Sequence, residues 1–175
     1  MKKIILRTLI VLIIMITLSL MTGTKADSAT YYMPYLHTST SNVVYCVVTN
    51  QSSSQVNASF TTMSLENGTA SQTASTSFTV DAKTTQLMTF SGSTLTTGSS
   101  TITIPDVSAS TISGYSGKLA FIGTSSPGDT EFGGGVTAST VSCTDVPMSC
   151  FQGTTSPKRN LVGHNCEDGT NKFAY

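Results

Sequence analysis

Short runs of alternating apolar and polar residues, separated by turn-forming residues, make up the chain from residue 31 to residue 143. An alternation with a period of two is typical of β-strands that bury one face. The stretch NVVYCVVT, residues 42–49, is apolar on both faces, which is typical of a central strand. Because no helical period follows residue 26, the pattern predicts an all-β fold.

The other predicted strands are equally short and are separated by turn residues. They comprise residues 31–35, 57–65, 75–80, 84–90, 100–104, 117–123 and 135–143. Pro34 has no N–H to donate, which predicts an edge or terminal position for the first of them. Glu66-Asn67-Gly68-Thr69 is predicted as a hairpin turn from which strand 75–80 returns, because Asn-Gly tolerates positive φ angles. Seven or eight such strands predict a single antiparallel β-sandwich over residues 27–143.

The first 26 residues have the pattern of an export signal. Basic residues precede an apolar run over residues 8–21, and Thr24-Lys25-Ala26 supplies the small residues that signal peptidase reads. We predict cleavage after Ala26 and a secreted, periplasmic or cell-surface protein. The alternative is an uncleaved membrane anchor, because the run is not far below the ~20 residues that a spanning helix needs.

Charge and composition narrow the range of partners. Residues 27–175 contain five basic and nine acidic residues, a net charge of −4, which makes nucleic acid and anionic membranes poor partners. About a third of these residues are Ser or Thr. That share is compatible with a disordered, glycosylated stalk, but the regular alternation favours threonine on the solvated faces of sheets.

Four cysteines, Cys46, Cys143, Cys150 and Cys166, are predicted to form two disulfides, since exported chains mature where thiols are oxidised. With His164, the last three form C-x6-C-x13-H-x-C, which fits zinc poorly because structural zinc sites usually pair ligands at closer spacing. A catalytic thiol would need a neighbouring base and a lowered thiol pKa, and no feature of the sequence indicates either.

Sequence leaves the pairing of these cysteines open. We favour Cys46 with Cys143, joined across the sandwich, and Cys150 with Cys166, which would close the end of the chain into a loop. The rival is Cys143 with Cys150 and Cys46 with Cys166. Residues 144–175 have no clear alternation, and we predict a loop-rich tail held by these bridges.

Other candidate chemistry is sparse, and no catalytic, metal or cofactor site is predicted. Only His37 and His164 offer imidazole bases, and there is no G-x-S-x-G motif. Two acidic pairs, at residues 129/131 and 167/168, could offer oxygens to Ca²⁺, but neither matches a calcium loop and both are predicted as solvated turn charges.

Five tyrosines are candidates for stacking on a sugar, although core or edge packing is predicted for most of them. They are Tyr31, Tyr32, Tyr35, Tyr45 and Tyr115.

The segment YYMPYLHTSTSNVVYCVVTN, residues 31–50, resembles the opening of small secreted bacterial β-sandwich proteins, most of which lack an assigned function. The resemblance implies an exported sandwich and carries over no catalytic residue. Our leading hypothesis is a non-enzymatic exported module that binds a surface protein or glycan, or has a structural role. The alternatives are a subunit of a surface filament or adhesin, by strand addition, and a small secreted hydrolase.

Overall fold

The computed structural model describes residues 28–98, 100–108, 111–124, 140–154, 159–162, 165–169 and 172–174. These residues form 13 strands and no helix. None of them belongs to a helix that is long and apolar enough to cross a membrane. The strands are β1 (Ala29–His37), β2 (Asn42–Thr49), β3 (Val56–Leu65), β4 (Gly68–Thr73), β5 (Phe78–Val80), β6 (Thr85–Ser91), β7 (Thr94–Thr97), β8 (Ser100–Thr103), β9 (Gly114–Gly123), β10 (Met148–Thr154), β11 (Arg159–Val162), β12 (Asn165–Glu167) and β13 (Lys172–Ala174).

The strands form two antiparallel sheets, which confirms the predicted all-β sandwich. Sheet A has the order β13-β12-β1-β9-β3-β4, with β5 paired to β3 beside β4, and sheet B has the order β11-β10-β2-β6-β7-β8. The strand count exceeds the predicted seven or eight because the region after Cys143 and the hairpin arms 68–73 and 94–97 are also strands. These additional strands are short or rich in Ser and Thr, so their alternation is weak.

The inner faces of the two sheets share one core. The rings of Phe60 in sheet A and Phe90 in sheet B lie 5.4 Å apart. Two buried phenols bond to backbone across the core: the Tyr31 hydroxyl donates to the Val146 carbonyl at 2.7 Å, and the Tyr115 hydroxyl to the Gly92 carbonyl at 3.4 Å. Burial raises the pKa of Tyr115 above its ordinary value.

The prediction of a central strand at residues 42–49 is confirmed, since β2 lies between β10 and β6. Val44, Cys46 and Val48 are at most 2% exposed and face the core. The intervening residues, Val43, Tyr45 and Val47, are only half-buried. The second apolar face of this strand is therefore not covered by the core.

The edge position predicted from Pro34 is wrong, because β1 has β12 on one side and β9 on the other. Pro34 is tolerated because its pairing with β9 shifts register between Met33 and Leu36, and β12 pairs only with residues 30–32. Residue 34 therefore lies at a bulge where β12 no longer pairs with β1. The N–H that proline lacks is not needed there for a ladder hydrogen bond.

The turn predicted at Glu66-Asn67 is confirmed, but the strand that returns from it differs. Leu65 pairs with Gly68, so β4 returns directly, and β5 pairs with the first residues of β3 along the same edge. The Ser113 backbone N–H donates to Glu66 Oε2 at 2.6 Å, and this bond lowers the pKa of that carboxyl. The turn thus has a hydrogen bond to Glu66 in addition to its favourable Asn-Gly sequence.

The chain after Cys143 contains more regular structure than the predicted loop-rich tail. It supplies β10 and β11 to sheet B and β12 and β13 to sheet A. Its strands carry few large apolar residues and are separated by short polar segments. Their apolar–polar alternation is therefore too weak to predict strands. Strand 135–143 was also predicted; residues 140–143 are not strand, and residues 135–139 lie outside the described part of the chain.

All four cysteines form disulfides, as predicted, but both predicted pairings are wrong. The bridges are Cys46–Cys150, with Cα atoms 4.0 Å apart, and Cys143–Cys166, with Cα atoms 6.1 Å apart. Cys150 lies directly opposite Cys46 because β10 pairs with β2. Cys143 lies in a turn, from which it reaches Cys166 of β12. Two such bridges are typical of extracellular or periplasmic proteins.

Candidate functional site

Within the described part of the chain, the residues first considered for catalysis or metal binding do not form a metal-binding group. His37 is half-buried at the end of β1, with its ring 4.8 Å from that of Tyr35. His164, Asp129, Glu131 and the predicted export signal lie outside the described residues. Across the described part of the chain, no three His, Cys, Asp or Glu side chains lie close enough together to hold a metal ion.

The prediction of solvated turn charges at residues 167 and 168 is wrong for Asp168. Its side chain is 3% exposed, and its Oδ2 accepts the backbone N–H of Cys143 at 3.0 Å. Glu167 lies in β12 opposite Thr30 and is half-buried. Asp168 thus holds the turn that carries the Cys143–Cys166 bridge, which is a structural role.

The five tyrosines divide between the core and the surface. Tyr31 and Tyr115 are at most 2% exposed, as core packing predicts. Tyr32 and Tyr45 are half-buried on opposite sheets, and Tyr35 is 46% exposed. Tyr45 lies on an outer surface of sheet B that has other apolar side chains.

That surface is the outer face of sheet B, formed by the outward-facing side chains of β10, β2, β6, β7 and β8. We call it the B face. Its centre is apolar: Leu87 is 52% exposed and Phe151 is 39% exposed, and Val43, Tyr45 and Val47 lie between or beside them. The outward residues are Val43, Tyr45, Val47, Thr49, Thr85, Leu87, Thr89, Ser91, Thr94, Thr96, Thr101, Thr103, Ser149 and Phe151.

An aromatic pair occupies the centre of the B face. Tyr45 and Phe151 are direct partners in the β2–β10 register, so their side chains leave the sheet side by side. The Tyr45 ring leans over Gly153, where an added Cβ would lie 3.0 Å from Tyr45 Cε2. Gly153 thus leaves room for the ring to lie close to the sheet.

Rows of hydroxyl-bearing residues continue the B face toward its edge. Thr89, Thr96 and Thr101 are in register across β6, β7 and β8, and Ser91, Thr94 and Thr103 form a second row. Neighbouring strands lie about 4.8 Å apart, and residues two positions apart along a strand about 6.7 Å. The sheet therefore presents methyl and hydroxyl groups at regular spacing beside the aromatic pair.

No charged side chain is among the outward residues of these five strands. Large exposed apolar surfaces are uncommon on soluble monomers and often mark interaction sites. Water released from Leu87, Tyr45 and Phe151 would favour their coverage by a partner. The arrangement suits a neutral partner that offers both apolar patches and hydroxyl groups.

Only part of the B face could be predicted from the sequence. The two apolar faces of residues 42–49 are the signal, but from the sequence alone they predict only a central strand. Phe151 was missed because its segment was predicted as loop, and without β10 there was no register to place it beside Tyr45.

Comparison with known proteins finds no match among protein-family models, curated proteins or solved structures.

Proposed function

We propose that the protein is a non-enzymatic exported binding module that uses the B face to hold a neutral polysaccharide. The single observation that carries the proposal is the uncharged, half-exposed aromatic pair Tyr45 and Phe151, flanked by rows of threonine.

The chemistry of a neutral sugar polymer matches this surface. The C–H groups on one side of a sugar ring carry partial positive charge and pack against the negative face of an aromatic ring. Sugar hydroxyls both donate and accept hydrogen bonds, as threonine hydroxyls do. A polymer also offers repeated contacts, so individually weak sites along one sheet face add through multivalency.

Exported location is part of the proposal and rests on the signal-like first 26 residues together with the two disulfides. A partner outside the cytoplasm, such as a wall or capsule polysaccharide, fits that location. A surface protein is the other partner class, and an absence of retention on every neutral glycan would favour it.

The test is a depletion isotherm of the oxidised protein on insoluble neutral polysaccharides, cellulose and chitin first, followed by a soluble glycan array. We expect saturable retention that changes little with salt, because screening acts only on charges. Retention that falls steeply with added salt, or its absence on every neutral glycan, would contradict the proposal.

Matched tyrosine variants localise the binding. Tyr45→Ser and Phe151→Ser should each weaken retention at least about tenfold, because buried aromatic anchors dominate interfaces. Tyr32→Ser changes a half-buried tyrosine on the outer face of sheet A and should leave retention unchanged. Equal losses of retention in Tyr32→Ser and Tyr45→Ser would mean that the polysaccharide does not bind specifically to the B face.

A second candidate, a subunit of a surface filament, is favoured by one observation. Strand β8 is the last strand at one edge of sheet B, where it pairs with β7 alone among the described residues. An open edge can accept a strand from another copy. Sedimentation that stays monomeric at high concentration, with no filaments by microscopy, would count against this candidate.

A further inference from the structure

The tip of the β3–β4 hairpin carries the one Asn-Gly pair of the chain, Asn67-Gly68. β4 lies at an edge of sheet A, where it pairs with β3 alone among the described residues. Asn67 and Gly68 are both exposed. The pair is therefore in contact with water at a loop tip, where a backbone opens locally most readily.

An asparagine side chain can react with the backbone that follows it. A bond between Asn67 Cγ and the Gly68 nitrogen would close a five-membered ring with the C, Cα and Cβ atoms of Asn67. A following glycine favours this step, because glycine has no Cβ to crowd the nitrogen and its backbone is the least restricted. Asparagine is counted among the heat-labile residues of proteins.

The structure leaves the two reacting groups accessible. The bonds that anchor the turn belong to Glu66, whose N–H donates to the Gly114 carbonyl at 3.2 Å and whose Oε2 accepts the Ser113 N–H at 2.6 Å. An added Cβ at Gly68 would have no atom within 4 Å, so the backbone there borders open space. Gly68 pairs with Leu65 at the end of the hairpin, and opening of this last pair alone frees the Gly68 nitrogen.

Two other asparagines lack one of these conditions. Asn50 is fully buried, and its Nδ2 donates to the Val80 carbonyl at 3.0 Å. Asn57 is exposed, but Ala58 after it is buried in β3 between β5 and β9. The amide of Asn50 is therefore held in place, and the backbone after Asn57 is held within the sheet.

The pair Asp168-Gly169 could close the same ring with loss of water instead of ammonia. Asp168 is 3% exposed, however, and its Oδ2 accepts the Cys143 N–H at 3.0 Å. A buried carboxylate in such a bond is not free to turn toward the next nitrogen. Accessibility thus separates the hairpin tip from the buried pair.

We infer that Asn67 is a site of spontaneous covalent modification, at which the protein converts in water to aspartate and isoaspartate forms. The Gly68 nitrogen gives its proton to hydroxide and bonds to Asn67 Cγ, and the Cγ–Nδ2 bond breaks with release of ammonia. Water then opens the cyclic imide. Its addition at Cγ gives aspartate, and its addition at the backbone carbonyl carbon of Asn67 gives isoaspartate. No group is oxidised or reduced.

The products change the hairpin and leave the B face as it is, so this site goes beyond the proposed function. Either product places a second carboxylate beside Glu66, and it is ionised above about pH 4. Isoaspartate also adds one methylene to the backbone between β3 and β4, which disturbs the Leu65–Gly68 pair. Polysaccharide retention should not change, because the B face belongs to the other sheet.

The test is incubation of the oxidised full chain at mildly alkaline pH, where the attacking nitrogen loses its proton more readily. Ammonia release and peptide mapping by mass spectrometry, with fragmentation that distinguishes aspartate from isoaspartate, follow the reaction. We expect both products at Asn67 before any change at Asn50 or Asn57. An intact Asn67 in the folded protein, at a time when the urea-unfolded protein is fully converted, would overturn the inference.

Gly68→Ala is the decisive variant, because the φ of Gly68 lies outside the left-handed region and an added Cβ meets no atom within 4 Å. It should keep the melting temperature and slow the conversion of Asn67 about tenfold or more, since the Cβ crowds the attacking nitrogen. An unchanged rate would overturn the assignment of this nitrogen as the nucleophile.

Ala58→Gly is the matched control, because it creates a second exposed Asn-Gly pair, at Asn57, inside β3. Asn57 in this variant should convert much more slowly than Asn67 in the same molecule, since its backbone is paired on both sides. Equal rates at the two positions would contradict the role given to the hairpin tip. Polysaccharide retention before and after conversion is measured separately, so this inference and the proposed function can each fail without the other.

Discussion

The outer faces of the two sheets differ in chemistry although the inner faces contribute to the same core. On sheet A, the outward residues include Lys118 opposite Tyr32, and Glu167 opposite Thr30, so charges of both signs lie among polar groups. On sheet B, the outward residues of β10, β2, β6, β7 and β8 carry no charge, and their centre is apolar. Sheet A also exposes large apolar residues, among them Met63 and Ile122, so the two outer faces differ in charge rather than in apolar content.

On β2, the sequence carries more apolar residues than the core uses. A sandwich needs one apolar face on each strand, and Val44, Cys46 and Val48 already supply it on β2. Val43, Tyr45 and Val47 add a second apolar face that the core does not use. These side chains therefore lie on the outer face of sheet B, where a partner is proposed to bind.

The largest expected effect comes from the disulfide that holds the B face in register. Cys46–Cys150 joins β2 to β10 and spans a sequence separation of 104, whereas Cys143–Cys166 spans 23. Replacing both cysteines of a bridge by alanine should lower the free energy of unfolding by roughly 4–5 kcal/mol for the first bridge and about 3 kcal/mol for the second. The reason is that a bridge that closes a longer loop removes more entropy from the unfolded chain.

Urea unfolding of the double variants Cys46→Ala/Cys150→Ala and Cys143→Ala/Cys166→Ala measures both costs. The first variant should also lose polysaccharide retention more completely, because Tyr45 and Phe151 lie next to its two cysteines in sequence. A larger loss of stability in the second variant would contradict this ranking.

An intermediate effect is expected from one charge placed on each outer face. Leu87 and Ile122 are exposed apolar residues, 52% and 40% exposed, on sheets B and A respectively. Leu87→Lys should weaken polysaccharide retention about tenfold or more, because a charge loses solvation when a neutral partner covers it. Ile122→Lys should leave retention unchanged, and both variants should unfold within about 0.5 kcal/mol of the parent. Similar retention by the two variants would remove the distinction between the faces.

The smallest expected effect concerns pH. The outward residues of the B face include no carboxylate, amine or imidazole, so retention should be nearly constant from about pH 4 to about pH 9.

On sheet A, the hydrogen bond from the Ser113 N–H holds the pKa of Glu66 below its usual value. A depressed carboxyl pKa stabilises the fold above the unfolded pKa, and this stability is lost as pH falls through the folded pKa.

Glu66→Gln should therefore remove a small part of the acid sensitivity of unfolding and leave retention as it was. Because Glu66 is fully exposed, this contribution is minor. Retention that titrates steeply in this range would mean that a charged group outside the B face takes part in binding.

Local features of the fold could be predicted from the sequence, and long-range ones could not. The centre of β2, the turn at Glu66-Asn67 and the strands over residues 84–90, 100–104 and 117–123 follow from alternation and turn chemistry. The disulfide pairing depends on which strand lies beside β2, and that neighbour comes from residues 148–154, where Ser and Gly weaken the pattern. The position of Phe151 was lost for the same reason.

The direction of each threonine side chain could not be predicted either, because it depends on register. Thr97 is one of many threonines, and nothing local distinguishes the inward ones from the outward ones. Only the alternation of β7, with Leu95 and Thr97 buried and Thr94 and Thr96 half-buried, assigns its direction.

The strand order also makes folding of the first strands depend on the last part of the chain. β1 pairs with β9 and β12, and β2 takes one of its two neighbours from residues 148–154. Both of these early strands thus wait for partners made more than about 80 residues later, and such non-local pairing is slow. Until then the most apolar strand of the chain stays open on one side, and a nascent chain in this state is prone to aggregate.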